Sequence, residues 1–186
     1  MTIKSEKIIE KLEFFSTIAK LKDITRAGWP LHGISNGESV ADHSFQVATM
    51  AMFLADDIGV DQNKSVLMAL IHDIGESIIG DVITERGDSK LQNHTQKQLN
   101  ERNAMRLVLN KAGMGEFLDL FDELVANETP EAQFVKQLDK LEMAIQAQRY
   151  ELSSGIDLGE FYVNARKYIT NQLLIDILEQ VTASKI

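Results

Sequence analysis

The residues in this chain whose types and spacing suit chemistry best are His43, the adjacent pair His72-Asp73, and Asp139. Two imidazoles and two carboxylates make a donor set for a borderline divalent ion such as Mn, Co, Fe or Zn. An ion held there acts as a Lewis acid on a bound oxygen. Spacing alone supports this only weakly. Adjacent residues on a helix diverge by about 100°, so His72 and Asp73 share an ion only where it rests against the helix surface between them. A histidine on an apolar face is commonly a hydrogen-bonded core residue. A mid-helix aspartate is locally unfavourable, and it either pairs with a cation or coordinates something.

Three helices must bring these groups together. Val66-Leu67-Met68-Ala69-Leu70-Ile71 has no polar face and predicts a helix surrounded by other elements, ending at His72-Asp73. Gly75 is expected to let the backbone turn away there. A carboxylate at that end loses hydration, so Asp73 is neutralised by a protein cation or holds a metal with His72. His43 falls in a helix expected to run to about Asp57 and stop at Gly59, with His43, Val47, Met50 and Leu54 on one stripe. Asp139 sits at the margin of the stripe Phe134, Val135, Leu138, Leu141 and Ile145, in a helix over 131–152 opened by Pro130.

The remaining segments also read as helices and loops. Residues 4–20 place Ile8, Leu12, Phe15 and Ala19 on one stripe and predict an amphipathic helix packed on the body. The loop that follows holds the only tryptophan, Trp29, which on its own reads as a plug on the core. Asp61 can cap the central helix, and the polar run from Thr84 to His94 reads as an exposed loop or mobile flap. A long helix then runs to about Lys111 with Leu107 and Val108 inward, followed by helices near 116–126, 157–168 and 170–181. There is no internal repeat and no convincing strand alternation, so the chain reads as all-α.

At 186 residues and 44% hydrophobic, the chain can bury one sizeable core, and one domain over 1–186 suffices. A net charge of −9 argues against sequence-independent binding to nucleic-acid polymers or anionic membranes. Without cysteine there is no disulfide, thiolate zinc site or Cys nucleophile. Glu6, Lys7, Glu10, Lys11 and Glu13 interrupt any N-terminal apolar run, so no signal peptide is expected. No apolar stretch approaches the roughly 20 residues that span a bilayer. A soluble cytoplasmic protein is the plain reading.

Four ordered segments carry a family resemblance: Arg26-Ala27-Gly28-Trp29, Glu38-Ser39-Val40-Ala41-Asp42-His43, His72-Asp73-Ile74-Gly75-Glu76-Ser77-Ile78-Ile79-Gly80-Asp81, and residues 131–143 around Gln137-Leu138-Asp139-Lys140-Leu141-Glu142-Met143. In this order they resemble the HD-domain phosphohydrolase superfamily, and most closely its 5′-deoxynucleotidase branch. The resemblance implies a helical bundle with a core at about 20–150 and closing helices at about 157–183. It implies one divalent cation (Mn, Co, Mg, Zn or Fe) ligated by His43, His72, Asp73 and Asp139. Glu76 and Asp81 are implied to be catalytic, Arg26 to contact the substrate phosphate, and Trp29 to line the sugar pocket. The implied substrate is a 2′-deoxynucleoside 5′-monophosphate, and the implied assembly a homodimer. Without the resemblance, Glu76 reads as a solvated helix-end residue and Arg26 as part of a surface ion pair. The alternatives are an HD phosphodiesterase or guanosine-polyphosphate hydrolase, and a helical regulatory domain that binds nucleotide or metal without turnover.

Overall fold

The structure, a computed structural model, describes residues 3–81 and 94–184. Its helices are α1 (Ile3–Ala19), α2 (Gly28–Leu31), α3 (Val40–Ile58), α4 (Gln62–Ile71), α5 (Glu76–Ile79), α6 (His94–Lys111), α7 (Glu116–Ala126), α8 (Pro130–Ser154), α9 (Gly159–Tyr168) and α10 (Gln172–Ala183). A 3-10 turn at Lys20–Lys22 joins α1 to the loop before α2. The all-α expectation holds: the only extended pairing among the described residues is an isolated antiparallel bridge between Thr25 and Ser39. No helix among them is long and apolar enough to cross a membrane. The expected loop or flap at 84–93 lies outside the described residues, as does the side chain of His94, whose backbone opens α6.

The main core lies where α3, α4 and α8 meet. The buried face of α3 is largely small (Ala48, Ala51, Ala55), so the backbone of α4 can approach closely, with Met68 and Ala69 filling the seam. From the other side α8 supplies Phe134, Val135, Leu138 and Leu141, and α9 and α10 close the layer with Tyr162, Leu174 and Leu178. A smaller cluster of Ile71, Met105, Leu109 and Phe121 seats the end of α4 against α6 and α7.

Local chemistry sets the helix starts that matter for the site. Ser39 and Asp42 form a capping box: the Asp42 N–H donates to Ser39 Oγ at 3.1 Å, and the Ser39 N–H to Asp42 Oδ2 at 2.9 Å. His43 therefore sits in the first turn of α3. Asp61 caps α4 as expected, accepting from the Lys64 N–H at 2.9 Å. Thr129 caps α8, with Pro130 in its first turn.

Three expectations about facing need correction. On α1 the stripe Ile8, Leu12, Phe15 and Ala19 is exposed, because the helix docks through the neighbouring stripe of Phe14 and Ile18, which continues to Leu21. On α4, Leu67 and Leu70 are exposed, so that helix is covered on one side only. On α6, Leu107 faces outward, and Ala104, Met105, Val108 and Leu109 face inward. At Gly75 the chain has turned away from α4 as expected, with Gly75 right-handed (φ −58) at the start of α5. A Cβ there would meet the Glu101 carbonyl oxygen at 3.4 Å, an ordinary contact.

Gly37 is tighter: a Cβ there would fall 2.7 Å from Trp29 Cβ and 2.8 Å from Cδ1. Gly37→Ala is therefore expected to destabilise the protein by about 1–3 kcal/mol, as overpacking does. Thermal denaturation checks this, and an unchanged melting temperature would contradict the packing described.

Candidate active site

The site forms where the loop before α2, the first turn of α3, the exit of α4 and the third turn of α8 converge. Two backbone bonds tie the loop to the entry of α3: Arg26 N–H to the Glu38 carbonyl at 3.0 Å, and Val40 N–H to the Ile24 carbonyl at 2.9 Å. Arg26 is thereby aimed at the acids. Its side chain is only 13% exposed, which excludes the surface ion pair.

His43, His72, Asp73 and Asp139 come together. His43 Nε2 lies 3.3 Å from His72 Nε2, 3.2 Å from Asp139 Oδ1 and 3.8 Å from Asp73 Oδ2. His72 Nε2 is 3.0 Å from Asp73 Oδ2. Ligand atoms of His43, His72 and Asp73 all lie within 4.8 Å of one another. The far nitrogen of each ring is already engaged. His72 Nδ1 is 2.6 Å from the Ala69 carbonyl oxygen, which can only accept, so Nδ1 carries the hydrogen and Nε2 the lone pair. His43 Nδ1 is likewise 2.6 Å from Glu142 Oε2. The two Nε2 atoms thus face each other, and two free lone pairs there would repel, so the contact calls for a proton or a cation. In the cation-free protein a proton meets that need. Burial and Arg26 push the His43 pKa down, but Asp139 and Glu142 outweigh them and raise it to about 10. The donor set fits a divalent ion.

Protein cations balance the acids in the same way. Arg26 Nη1 donates to Asp73 Oδ2 at 3.0 Å, with Nη2 3.8 Å from Asp139 and Nε 3.9 Å from Asp81. Lys140 Nζ donates to Asp139 Oδ2 at 2.8 Å. Asp139 thus meets both alternatives open from the sequence: Lys140 holds one oxygen, and the other faces His43. Burial disfavours charge on Asp73, but His72 and Arg26 hold its carboxyl well below the usual range. Lys140, His43 and Arg26 do the same for Asp139.

Glu76 opens α5 beside this cluster. Its Oε2 is buried without a hydrogen-bond partner. Burial, and then the charges of Asp73 and Asp81, push its pKa up to about 9. Asp81 is fixed by the Ala27 N–H, which donates to its Oδ2 at 2.8 Å. A cavity of about 610 Å³ opens from His72, Asp73, Glu76 and Asp139 towards Lys136 and Lys140.

Trp29 does not join the cavity wall. It is fully buried, stacked on Phe161 at 4.5 Å with Tyr150 edge-on, and its Nε1–H donates to Glu38 Oε1 at 3.1 Å. It is the core plug, and it backs the Arg26 loop. Three polar residues at the site went unassigned in the sequence: Glu38, Lys140 and Glu142. Glu142 had a signal, since it follows Asp139 by three residues on the buried side of α8, where a glutamate has no packing reason to be.

The HD domain family model matches residues 18–181, and the chain belongs to that family. Among its relatives is the 5′-deoxynucleotidase HDDC2 of Danio rerio, 32% identical over 94% of this chain and 87% of that protein. Another, the 5′-deoxynucleotidase HDDC2 of Dictyostelium discoideum, is 35% identical over 94% of this chain and 97% of that protein. A solved structure of a conserved hypothetical protein from Pyrococcus furiosus matches with a TM-score of 0.72 at 37% identity, covering 92% of this chain and 99% of that one.

The position of Glu76 has a consequence for stability. Its carboxyl titrates near 9 when folded against an ordinary 4.5, so between those values the folded state binds more protons than the unfolded one. Stability from this group therefore falls as pH rises through that window. Glu76→Gln removes the loss. In chelator, its melting temperature relative to the parent is expected to climb steadily from pH 5 to pH 9, and a constant offset would contradict the assignment.

Proposed function

We propose that this protein is a metal-dependent phosphomonoesterase that hydrolyses 2′-deoxynucleoside 5′-monophosphates to deoxynucleoside and phosphate. The observation that carries the reading is the convergence of His43 Nε2 and His72 Nε2, 3.3 Å apart, beside Asp73 and Asp139. Family membership and the 5′-deoxynucleotidase names of its relatives supply the substrate class. His43, His72, Asp73 and Asp139 would hold one divalent cation (Mn, Co, Mg, Zn or Fe). Such an ion offsets phosphate charge and lowers the pKa of water.

The chain's own residues do the rest. Arg26, buried and permanently charged, binds the phosphoryl oxygens in place of some of its carboxylate partners, and the fork of its guanidinium suits that geometry. In the hydrolysis a water oxygen bonds to phosphorus as the P–O5′ bond breaks. The water loses a proton and the 5′-oxygen gains one. Glu76, with one oxygen free, is the group that exchanges that proton. Asp81 holds Arg26 and the Ala27 amide in register. Trp29 acts at one remove, by seating the loop that carries Arg26. Lys140 and Lys136 give the cavity positive charge in an otherwise acidic protein.

We further infer that the whole chain forms one HD domain working in the cytoplasm as a homodimer. The outer face of α3 supports the dimer, with Phe45, Met52 and Phe53 exposed in one row and Leu67 and Leu70 of α4 alongside. Phe53→Asp is expected to shift sedimentation equilibrium to the monomer; a parent protein already monomeric would contradict the assembly.

A phosphate-release panel of deoxy- and ribonucleotides with Mn, Co, Mg and Zn, run beside elemental analysis, tests the activity. His72→Ala and Asp73→Ala are expected to abolish metal-dependent release. Glu76→Ala should keep the metal and lose about 10²–10⁴-fold in rate. Full activity in metal-free Asp73→Ala would overturn the reading. Preferential turnover of cyclic nucleotides or guanosine polyphosphates would move the substrate to the phosphodiesterase or alarmone class.

A further inference from the structure

We propose that Glu142 is a positioning residue for the metal centre: it holds the Nδ1–H of His43 and so turns the Nε2 lone pair towards the cation. The inference rests on the metal site proposed above. Glu142 has no exposed surface, and its Oε2 lies 2.6 Å from His43 Nδ1. Its other oxygen, Oε1, is buried with no hydrogen-bond partner. A carboxylate kept in a core for stability would have both oxygens satisfied, because an unpaired buried acceptor loses its hydration for nothing. This one makes a single bond, and that bond is to the back of a candidate ligand.

The geometry gives the bond two effects. A carboxylate only accepts, so the Nδ1 position keeps its hydrogen and the tautomer with a free Nε2 is enforced. The negative charge behind the ring also makes that nitrogen a stronger donor to a metal. Glu142 follows Asp139 by three residues and so lies on the same side of α8. One helix therefore contributes a ligand and sets the ring of a second. On the α4 side the Ala69 carbonyl does the same for His72, so the two imidazoles are prepared by different means.

A rival reading makes Glu142 itself a ligand, since Glu38, His43 and Glu142 also bring ligand atoms within 4.8 Å of one another. Glu38 Oε1, however, already accepts from Trp29 Nε1, and all three residues are buried. That side is closed to water and lacks the open coordination position a catalytic ion requires.

Titration of metal-stripped parent, Glu142→Gln and Glu142→Leu with Co²⁺ decides between these readings, followed by calorimetry, elemental analysis and the cobalt absorption spectrum. The parent is expected to bind one Co²⁺ per chain. Glu142→Leu is expected to weaken that binding about 10–100-fold, while Glu142→Gln, which keeps an acceptor, recovers part of the loss. Glu142→Leu leaves the buried His43 Nδ1–H without its acceptor, so its metal-free melting temperature is expected to fall; Glu142→Gln, which keeps an acceptor, is the variant whose Co²⁺ affinity is read near parent stability. Nitrogen-15 spectra of the imidazoles in the Zn²⁺-loaded protein add a direct readout: the Nδ1-protonated signature of His43 is expected in the parent and lost in Glu142→Leu. Equal Co²⁺ affinity in parent and Glu142→Leu would overturn the inference and leave the metal site standing. A second Co²⁺ in the parent that Glu142→Leu loses would make Glu142 a ligand and overturn it as well. A parent that binds no Co²⁺ would remove the metal site itself.

Discussion

Two imidazole nitrogens, His43 Nε2 and His72 Nε2, face each other across 3.3 Å while the other nitrogen of each ring meets a buried acceptor. That contact is unfavourable until positive charge enters it, and much of the surrounding structure follows from this demand. The capping box at Ser39 and Asp42 places His43 one turn into α3. Ile71, packed on Met105, Leu109 and Phe121, seats the exit of α4 that carries His72 and Asp73. The long helix α8 crosses beneath them with Asp139 and Glu142 on one side. In the cation-free molecule, the His43 proton, Arg26 and Lys140 supply the missing charge. Asp73 and Asp139 accordingly stay ionised although burial opposes it.

The site is held together at the expense of local satisfaction. Glu76 Oε2 and Glu142 Oε1 are buried without partners. Glu38, pressed by burial and by the charge of Glu142, titrates near 7 despite bonding to Trp29. Such arrangements persist where the remaining fold holds them in place. Here the support is the apolar seam of α3, α4 and α8, in which Ala51, Ala55, Met68, Leu138 and Leu141 are fully buried. The aromatic plug of Trp29 on Phe161 and Tyr150 anchors the Arg26 loop to the same body. Core and site are adjacent, and the rigid one positions the unsatisfied one.

Much of this was legible in the residues. The apolar run at 66–71 announced a buried helix end, the stripe through His43 and Val47 put that histidine inward, and the caps and glycine stops placed most helix ends closely. Facing was harder where two stripes overlap. On α1, Ile8, Leu12 and Phe15 make a regular apolar row, yet Phe14 and Ile18 are the residues that dock. Hydrophobic periodicity identifies a face without saying what covers it, and the outward rows on α1 and α3 are apolar enough to be read as inward. Trp29 shows the opposite case. A lone tryptophan beside Gly28 and Pro30 reads equally as plug or pocket wall, and only the Glu38 bond and the Phe161 stack separate the two. Lys140 and Glu142 escaped notice because a charged residue next to an apolar stripe looks like its solvated edge. The buried bond that gives Glu142 its role spans 99 residues of sequence.

X-ray absorption spectroscopy of the protein loaded with one equivalent of Mn²⁺ or Zn²⁺ tests the central claim most directly. The account predicts one ion per chain whose inner shell contains two imidazole nitrogens together with carboxylate oxygens. A shell of oxygens alone, or no ion retained after dialysis, would contradict it.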